Sequence, residues 1–242
     1  MPITNRQRRI LQAIMSEFMD TAEAVGSLTL ADKYDIGVSP ATLRSEMATL
    51  VKQGFLLKEH SSSGRIPTGI GIRYFIDEML KEEEPDSLEQ TRLKERLFQS
   101  RFNRALFIRE AVKALSEIAG QVSVSLVDDM VFVSGVGYLL RNPEFSDLDL
   151  LQDTLNVIES ETLLGKLFSL YRNDSRLKTL IGDEIGLDSL SDCSIVFSPF
   201  NYYRGAKGYI GVIGPKRMRY ERIIPAVRTI SEFIENSIAG WD

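Results

Sequence analysis

Two scarce side chains bound the chemistry open to this chain. Its 242 residues include one histidine, His60, and one cysteine, Cys193. One imidazole and one thiol exclude a Cys/His metal site, and outside the segment around His60 they exclude a Ser-His-Asp triad. Cys193 follows Asp192 just ahead of an apolar run, where a buried structural thiol is the default over a redox sensor. The carboxylate pairs Asp128-Asp129 and Asp183-Glu184 read as solvated loop charges. The stretch GYIGVIGPKRM (208–218) is rich in glycine but lacks the G-x-x-x-x-G-K-[ST] spacing of a phosphate loop. Gly208 and Gly211 read as close packing in a strand, Gly214-Pro215 as a turn, and Lys216, Arg217 and Arg219 as a solvated basic turn rather than an anion site. Neither enzymatic activity nor a cofactor is expected.

A different chemistry emerges at residues 39–65. On a helical wheel at 100° per residue, Leu43, Met47 and Leu50 share one face. The opposite face gathers Ala41, Ser45, Ala48 and Lys52, flanked by Thr42, Arg44 and Thr49. Small residues let a helix backbone approach a groove floor, while hydroxyls and Arg44 reach base edges or phosphates. The helix start, Ser39 to Thr42, offers free amides to a phosphate. Taken alone, this helix also fits the solvated side of an ordinary core helix. Its continuation shifts the balance: His60-Ser61-Ser62-Ser63-Gly64-Arg65 is a small polar tip with a basic residue after it. Such a tip can lie along a DNA backbone, with Arg65 on a phosphate or in the minor groove.

The elements that position these residues follow from local signals. Thr4-Asn5-Arg6-Gln7 reads as a capping box, and Ile10, Leu11, Ile14 and Phe18 recur at helical spacing after it. Ser27 caps a short second helix with Leu30, Ala31 and Tyr34. Asp35-Ile36-Gly37 is a turn, and Ser39-Pro40 starts a third helix, which Gly54 ends. Phe55–His60 and Arg65-Ile66 form a hairpin closed by Pro67. Three short helices and a hairpin are the order of a winged helix-turn-helix. Residues 68–80 are helical again, and Lys81–Ser87, polar with a proline, is the clearest boundary. Beyond it, 88–118 reads as helix with a break near 101–103. Strands are expected at 121–127, 131–136, 194–200 and 209–214, the last two around a turn at Arg204-Gly205. Helix is expected at 148–170 and 223–238. The division is 1–80 for the DNA-binding domain, 81–104 for a helical linker, and 105–242 for a regulatory and dimerisation domain.

Charge agrees only weakly. The chain carries −5 overall. Residues 1–75 hold nine Lys/Arg against seven Asp/Glu, a balance of +2. No apolar run approaches the roughly 20 residues of a membrane span. MPITNRQRRI lacks the apolar core of a signal peptide. A single cysteine allows no disulfide framework within the chain, which fits a reducing cytoplasm.

The segment SPATLRSEMATLVKQGFLLKEHSSSGRIPTGIGIRYFID resembles the winged-helix region of the HrcA heat-inducible transcription repressors. Ser39, Ala41, Thr42, Leu43, Arg44, Glu46 and Met47 match one part of that family's pattern. Gly54 and Phe55, His60 through Pro67, and then Gly71, Arg73, Phe75 and Asp77 match the rest. Further on, FIREAVKALSEIAGQVSVSLV, VFVSGVGYLLRNPEF and YIGVIGPKRMRYERIIP are similar to family segments. Three departures stand out. Ser45 replaces a usual Asn, Ile72 replaces a usual Tyr, and Leu126-Val127 passes almost directly to Val131-Phe132 where relatives carry roughly a hundred further residues, including an inserted dimerising domain.

The resemblance implies an α+β fold: an N-terminal winged helix-turn-helix, a helical linker, and a reduced GAF-like domain with an antiparallel sheet. It implies a cytoplasmic stress-response repressor of chaperone genes, binding double-stranded DNA at an inverted-repeat operator as a homodimer, with the GroEL chaperonin as a further partner. Leu93, Leu97, Phe107, Val112 and Leu115, or the final helix, are the candidate surfaces for such a dimer; the other reading is that these residues cover the sheet of their own domain. The alternative is a ligand-sensing regulator whose winged helix docks a protein, which would require a larger apolar patch than Ala41, Ser45 and Ala48 provide.

Overall fold

The computed structural model describes residues 3–58, 64–83, 87–171, 176–202 and 206–238. The fold is mixed, helices with antiparallel sheet, and the chain divides into two compact units, Met1–Lys81 and Glu82–Asp242.

The first unit opens with α1 (Asn5–Thr21), α2 (Ser27–Lys33) and α3 (Pro40–Lys52). The Thr4 hydroxyl accepts from the Gln7 N–H at 3.2 Å and the Gln7 side chain accepts from the Thr4 N–H at 3.0 Å, the reciprocal cap its sequence calls for. Ile10, Leu11 and Ile14 of α1, Leu30 of α2 and Leu43 and Leu50 of α3 are all fully buried, and α1 packs on both α2 and α3. The strands β1 (Leu56–Leu57) and β2 (Ile66–Pro67) follow, then α4 (Gly69–Glu78). Among the described residues the hairpin ladder pairs Leu56 with Pro67 and Leu57 with Ile66; the far end of the expected 55–60 strand lies outside them. Pro67 is thus inside the ladder rather than beyond it, and Arg65 bridges to Val25 instead.

The second unit has helices α5 (Ser87–Gln99) and α6 (Arg104–Ala119), then strands β3 (Val122–Val127) and β4 (Met130–Ser134). Two 3-10 segments lead to α7 (Leu148–Glu159) and α8 (Glu161–Ser169). Strands β5 (Lys178–Ile181), β6 (Cys193–Asn201) and β7 (Lys207–Pro215) precede α9 (Tyr220–Ile238). The sheet order is β4-β3-β7-β6-β5, with every neighbouring pair antiparallel. Helices α6 and α9 pack on one face. On the other, Val124, Ile195, Phe197 and Ile213 join Val157, Leu164 and Phe168 in one apolar core. Burial on both faces is why β6 and β7 read as nearly unbroken apolar runs.

Several expectations need correction. The helical pattern of 148–170 is two helices, since Ser160 breaks it and its hydroxyl accepts from the Leu163 N–H at 3.2 Å. The strand expected at 131–136 stops at Ser134, and Val136–Arg141 is a 3-10 segment. Strand β5 is an additional strand, formed by pairing of Lys178–Ile181 with β6. Leu93, Leu97, Phe107, Val112 and Leu115 are all buried within this unit, at 8% exposure or less, so they are not a seam open to a second copy. Cys193 is buried, and desolvation pushes its thiol up to about 11, consistent with a structural role.

Three of the family-like segments meet in a polar cluster. The Arg217 guanidinium grips the Glu144 carboxylate through Nε and Nη2 and donates to Asn142 Oδ1 at 3.1 Å. Asn142 Nδ2 in turn donates to Gln121 Oε1 at 3.2 Å and to the Tyr138 carbonyl at 3.0 Å. The Arg217 side chain is 12% exposed. Arg217→Ala, which strands the Glu144 carboxylate, is expected to cost about 2–4 kcal/mol. Adding Glu144→Ala should recover part of that loss. Urea denaturation followed by circular dichroism measures both.

Candidate nucleic-acid interface

Helix α3 is set in place by its buried stripe. Leu43, Met47 and Leu50 are at most 3% exposed, which turns the positions between them outward. Ser39 is the N-cap and Pro40 the first helical residue. Glu46, on the flank of α3, accepts from Arg6 Nη1 at 3.2 Å and from Gln7 Nε2 at 2.9 Å, tying α3 to α1. Arg9 Nη2 donates to the Asp35 carbonyl at 2.6 Å and so anchors the turn ahead of α3. Arg8 Nη2 donates to the Tyr74 hydroxyl at 3.1 Å. The cations of the N-terminal stretch are therefore engaged within the fold. The partners of Glu46, Arg8 and Arg9 are distant in the chain, so local sequence carries no signal of these contacts.

The outward face holds the residues singled out above. Ala41, Arg44, Ser45 and Lys52 are exposed, while Thr42, Ala48 and Thr49 are half-buried. Two hydroxyls are spent locally: Ser39 accepts from the Thr42 N–H at 3.2 Å and lies 3.0 Å from its hydroxyl, and Thr49 donates to the Ser45 carbonyl at 3.2 Å. Arg44, Lys52 and the exposed Lys58 have no hydrogen-bond or ion-pair partner among the described residues. What α3 presents outward is thus a flat face of small residues with Arg44 beside Ser45 and Lys52 a turn or two beyond. None of the exposed large hydrophobic residues belongs to α3.

His60, Ser61, Ser62 and Ser63 lie outside the described residues. Gly64 and Arg65, at the return of the hairpin, are half-buried. Arg65 exchanges backbone hydrogen bonds with Val25 at 2.9 Å in both directions, and its Nη1 donates to the Gly64 carbonyl at 3.0 Å. Gly64 is required by this closeness: a Cβ there would lie 2.5 Å from the Val25 carbonyl. Thr68 completes the junction, donating to the Gly54 carbonyl at 2.6 Å and accepting from the Gly71 N–H at 3.0 Å as the cap of α4. The structure therefore brings the α3 face together in one array and makes Gly64 and Arg65 part of the hairpin's anchorage.

Among the described residues no group of His, Cys, Asp and Glu could hold a metal ion, and no helix is long and apolar enough to cross a membrane.

Comparison with known proteins adds the following. The family model described as the HrcA protein C-terminal domain matches residues 70–224. A heat-inducible transcription repressor HrcA of Carboxydothermus hydrogenoformans is 26% identical over 339 residues, covering 98% of this chain and 99% of the relative. One from Bacillus pumilus is 26% identical over 345 residues, covering 98% of each. Both alignments are far longer than the 242-residue chain, so they bridge long gaps in it. The crystal structure of a hypothetical protein at 2.2 Å resolution shares the fold, with a TM-score of 0.78 and 16% identity over 98% of this chain and all of that one.

The junction behind α3 is the part most sensitive to volume. A Cβ at Gly71 would sit 2.1 Å from the Phe55 carbonyl oxygen. Gly71→Ala is expected to destabilise the N-terminal unit by about 1–3 kcal/mol, the range for overpacking a tight site. Thermal melting followed by circular dichroism checks it, and an unchanged melt would show that the junction is loose.

Proposed function

The chain belongs to the HrcA family, whose relatives carry the name heat-inducible transcription repressor, and from that premise we propose that it represses transcription by reading an inverted-repeat operator with α3. The first unit acts as a winged helix-turn-helix, with α3 in the major groove and the β1–β2 hairpin as the wing. The second unit acts as a reduced GAF-like domain for regulation and dimerisation, and the protein works in the cytoplasm on chaperone genes as a homodimer. The observation that carries this reading is the outward face of α3. It offers small residues and unengaged cations, Arg44 and Lys52, where a protein-docking face would offer large apolar side chains.

Contacts divide by role. The start of α3 and Lys52 suit phosphates, which position the helix without reading sequence. Arg44 and Ser45 are placed to meet base edges, with Ala41 and Ala48 allowing the close approach. Titration of the protein against a family-type inverted repeat and a scrambled copy, at two salt concentrations, tests this assignment. If Arg44 sits on a phosphate, Arg44→Ala weakens both duplexes about equally and lowers the salt slope by roughly one unit. If it reads a base, the loss falls on one operator position and amounts to about 1–3 kcal/mol. An Arg44→Ala protein that binds both duplexes like the parent contradicts the assignment.

Ser45 allows a finer test. A serine hydroxyl cannot make the bidentate contact to adenine that an asparagine amide makes. Ser45→Asn is expected to sharpen discrimination at one base pair in each half-site, by about 1–3 kcal/mol against the wrong base. Binding measured across a set of singly substituted operators checks this, and an unchanged profile refutes it.

A further inference from the structure

The five-stranded sheet has two outer edges, and they are built differently. Along β5 stands Lys178, and the Glu184 carboxylate accepts from the Ile181 N–H at 3.0 Å. A charge and an occupied amide guard that edge. The opposite edge, β4, reads Met130-Val131-Phe132-Val133-Ser134, with no charge, proline or glycine. Met130 is 47% exposed and the other four residues are half-buried, whereas the adjoining β3 is buried along nearly its whole length. An uncharged apolar edge is a template for pairing that stable monomers ordinarily avoid.

The turn between β3 and β4 determines which backbone groups are free. Asp128 and Asp129 both have positive φ, 47° and 62°, and Val127 pairs with Met130 across them. That is a two-residue type I′ hairpin. In such a hairpin the flanking pair exchanges both hydrogen bonds, and alternation assigns the same to Ser125–Phe132 and Ser123–Ser134. Val131 and Val133 therefore turn their N–H and C=O groups away from β3, toward the open side.

We propose that this edge is the homodimer contact, with β4 of one copy pairing antiparallel to β4 of a second copy about a two-fold axis at Phe132. Val131 of each copy then lies opposite Val133 of the other, and their outward groups satisfy one another. Met130 faces Ser134. Asp129 and Asp128 fall opposite Gly135 and Val136, so no aspartate meets a like charge. A shift of register in either direction brings an aspartate of the turn, or Gly135 with its φ of 79°, into the ladder. The two Phe132 side chains form a non-hydrogen-bonded pair, where cross-strand neighbours approach closest. A second copy is the occupant because an antiparallel edge is its own complement about a two-fold axis, and the assembly closes at two. The contact is short, so a Kd on the order of micromolar is expected. The choice of a second copy rests on the reading of the chain as a two-fold-symmetric DNA binder, a role in which DNA would supply further drive to assemble.

Sedimentation of the full chain across a concentration series, without DNA, tests the surface. The parent protein is expected to show a monomer–dimer equilibrium. Val133→Pro removes an outward N–H and no bond to β3, a change that edge strands tolerate, and should weaken the dimer about tenfold or more. Phe132→Cys should yield a reducible covalent dimer on oxidation with oxidised glutathione, while Lys178→Cys on the other edge should not. If Val133→Pro fails to fold, cross-linking at 132 decides the matter. A parent protein that remains monomeric to about 100 µM, or a dimer that Phe132→Cys does not cross-link, overturns the inference. Operator titration of the same samples separates this outcome from the previous reading: a β4 dimer that ignores the operator keeps the surface and sinks the repressor, and operator binding without cross-linking does the reverse.

Discussion

The rotation of α3 about its own axis governs which side chains the first unit presents outward. Three large apolar side chains at spacings of four and three, Leu43, Met47 and Leu50, are buried against α1 and α2. Exposing them would cost about 1.5–3 kcal/mol each. The polar contacts on the flank, such as Glu46 with Arg6 and Gln7, are worth about 0.5–1.5 kcal/mol apiece. The apolar stripe therefore sets the rotation and the polar contacts refine it. Ala41, Arg44, Ser45 and Lys52 face outward as the remainder of that requirement, presented on a helix. The glycines and Thr68 of the hairpin junction serve the same end, letting the hairpin return close behind α3.

The second unit solves a different problem with the same means. Its sheet is covered on both faces, so its central strands are buried and largely apolar, with the small serines Ser123, Ser125, Ser194 and Ser198 as their buried polar side chains. Polar groups concentrate where the 3-10 segments meet the end of β7, in the Arg217–Glu144–Asn142–Gln121 cluster. That cluster joins stretches far apart in the chain: Asn142 and Glu144 of RNPEF, Arg217 of GPKRM, and Gln121 ahead of β3 form one network. A basic turn that reads as solvated in sequence is, at Arg217, largely enclosed.

Legibility in the sequence follows the range of the interaction responsible. The caps at Thr4 and Ser39 and the end of α3 at Gly54 are decided within a few residues, and they were readable. So was the outward face of α3, because helical spacing alone separates it from the core. Strand β5 was not readable, since four residues become a strand only by pairing with β6. The break at Ser160 hid within an apolar period that runs through it. Arg65 looked like a side chain offered to solvent, yet its backbone is tied to Val25, a residue of a distant turn. The periodic residues of α5 and α6 marked a buried face correctly, but periodicity does not say whether a helix covers its own sheet or a second copy, and here it is its own unit that encloses them.

The central claim is that this chain recognises a two-fold-symmetric duplex sequence through α3. Selection of binding sites from a random-sequence duplex pool by the full-length protein tests it without presupposing any operator. The expected result is enrichment of an inverted repeat, bound at least about a thousandfold more tightly than the starting pool, and loss of that enrichment when Arg44 and Ser45 are both replaced by Ala. Recovery of no motif, or of a motif equally enriched by the doubly substituted protein, would contradict it.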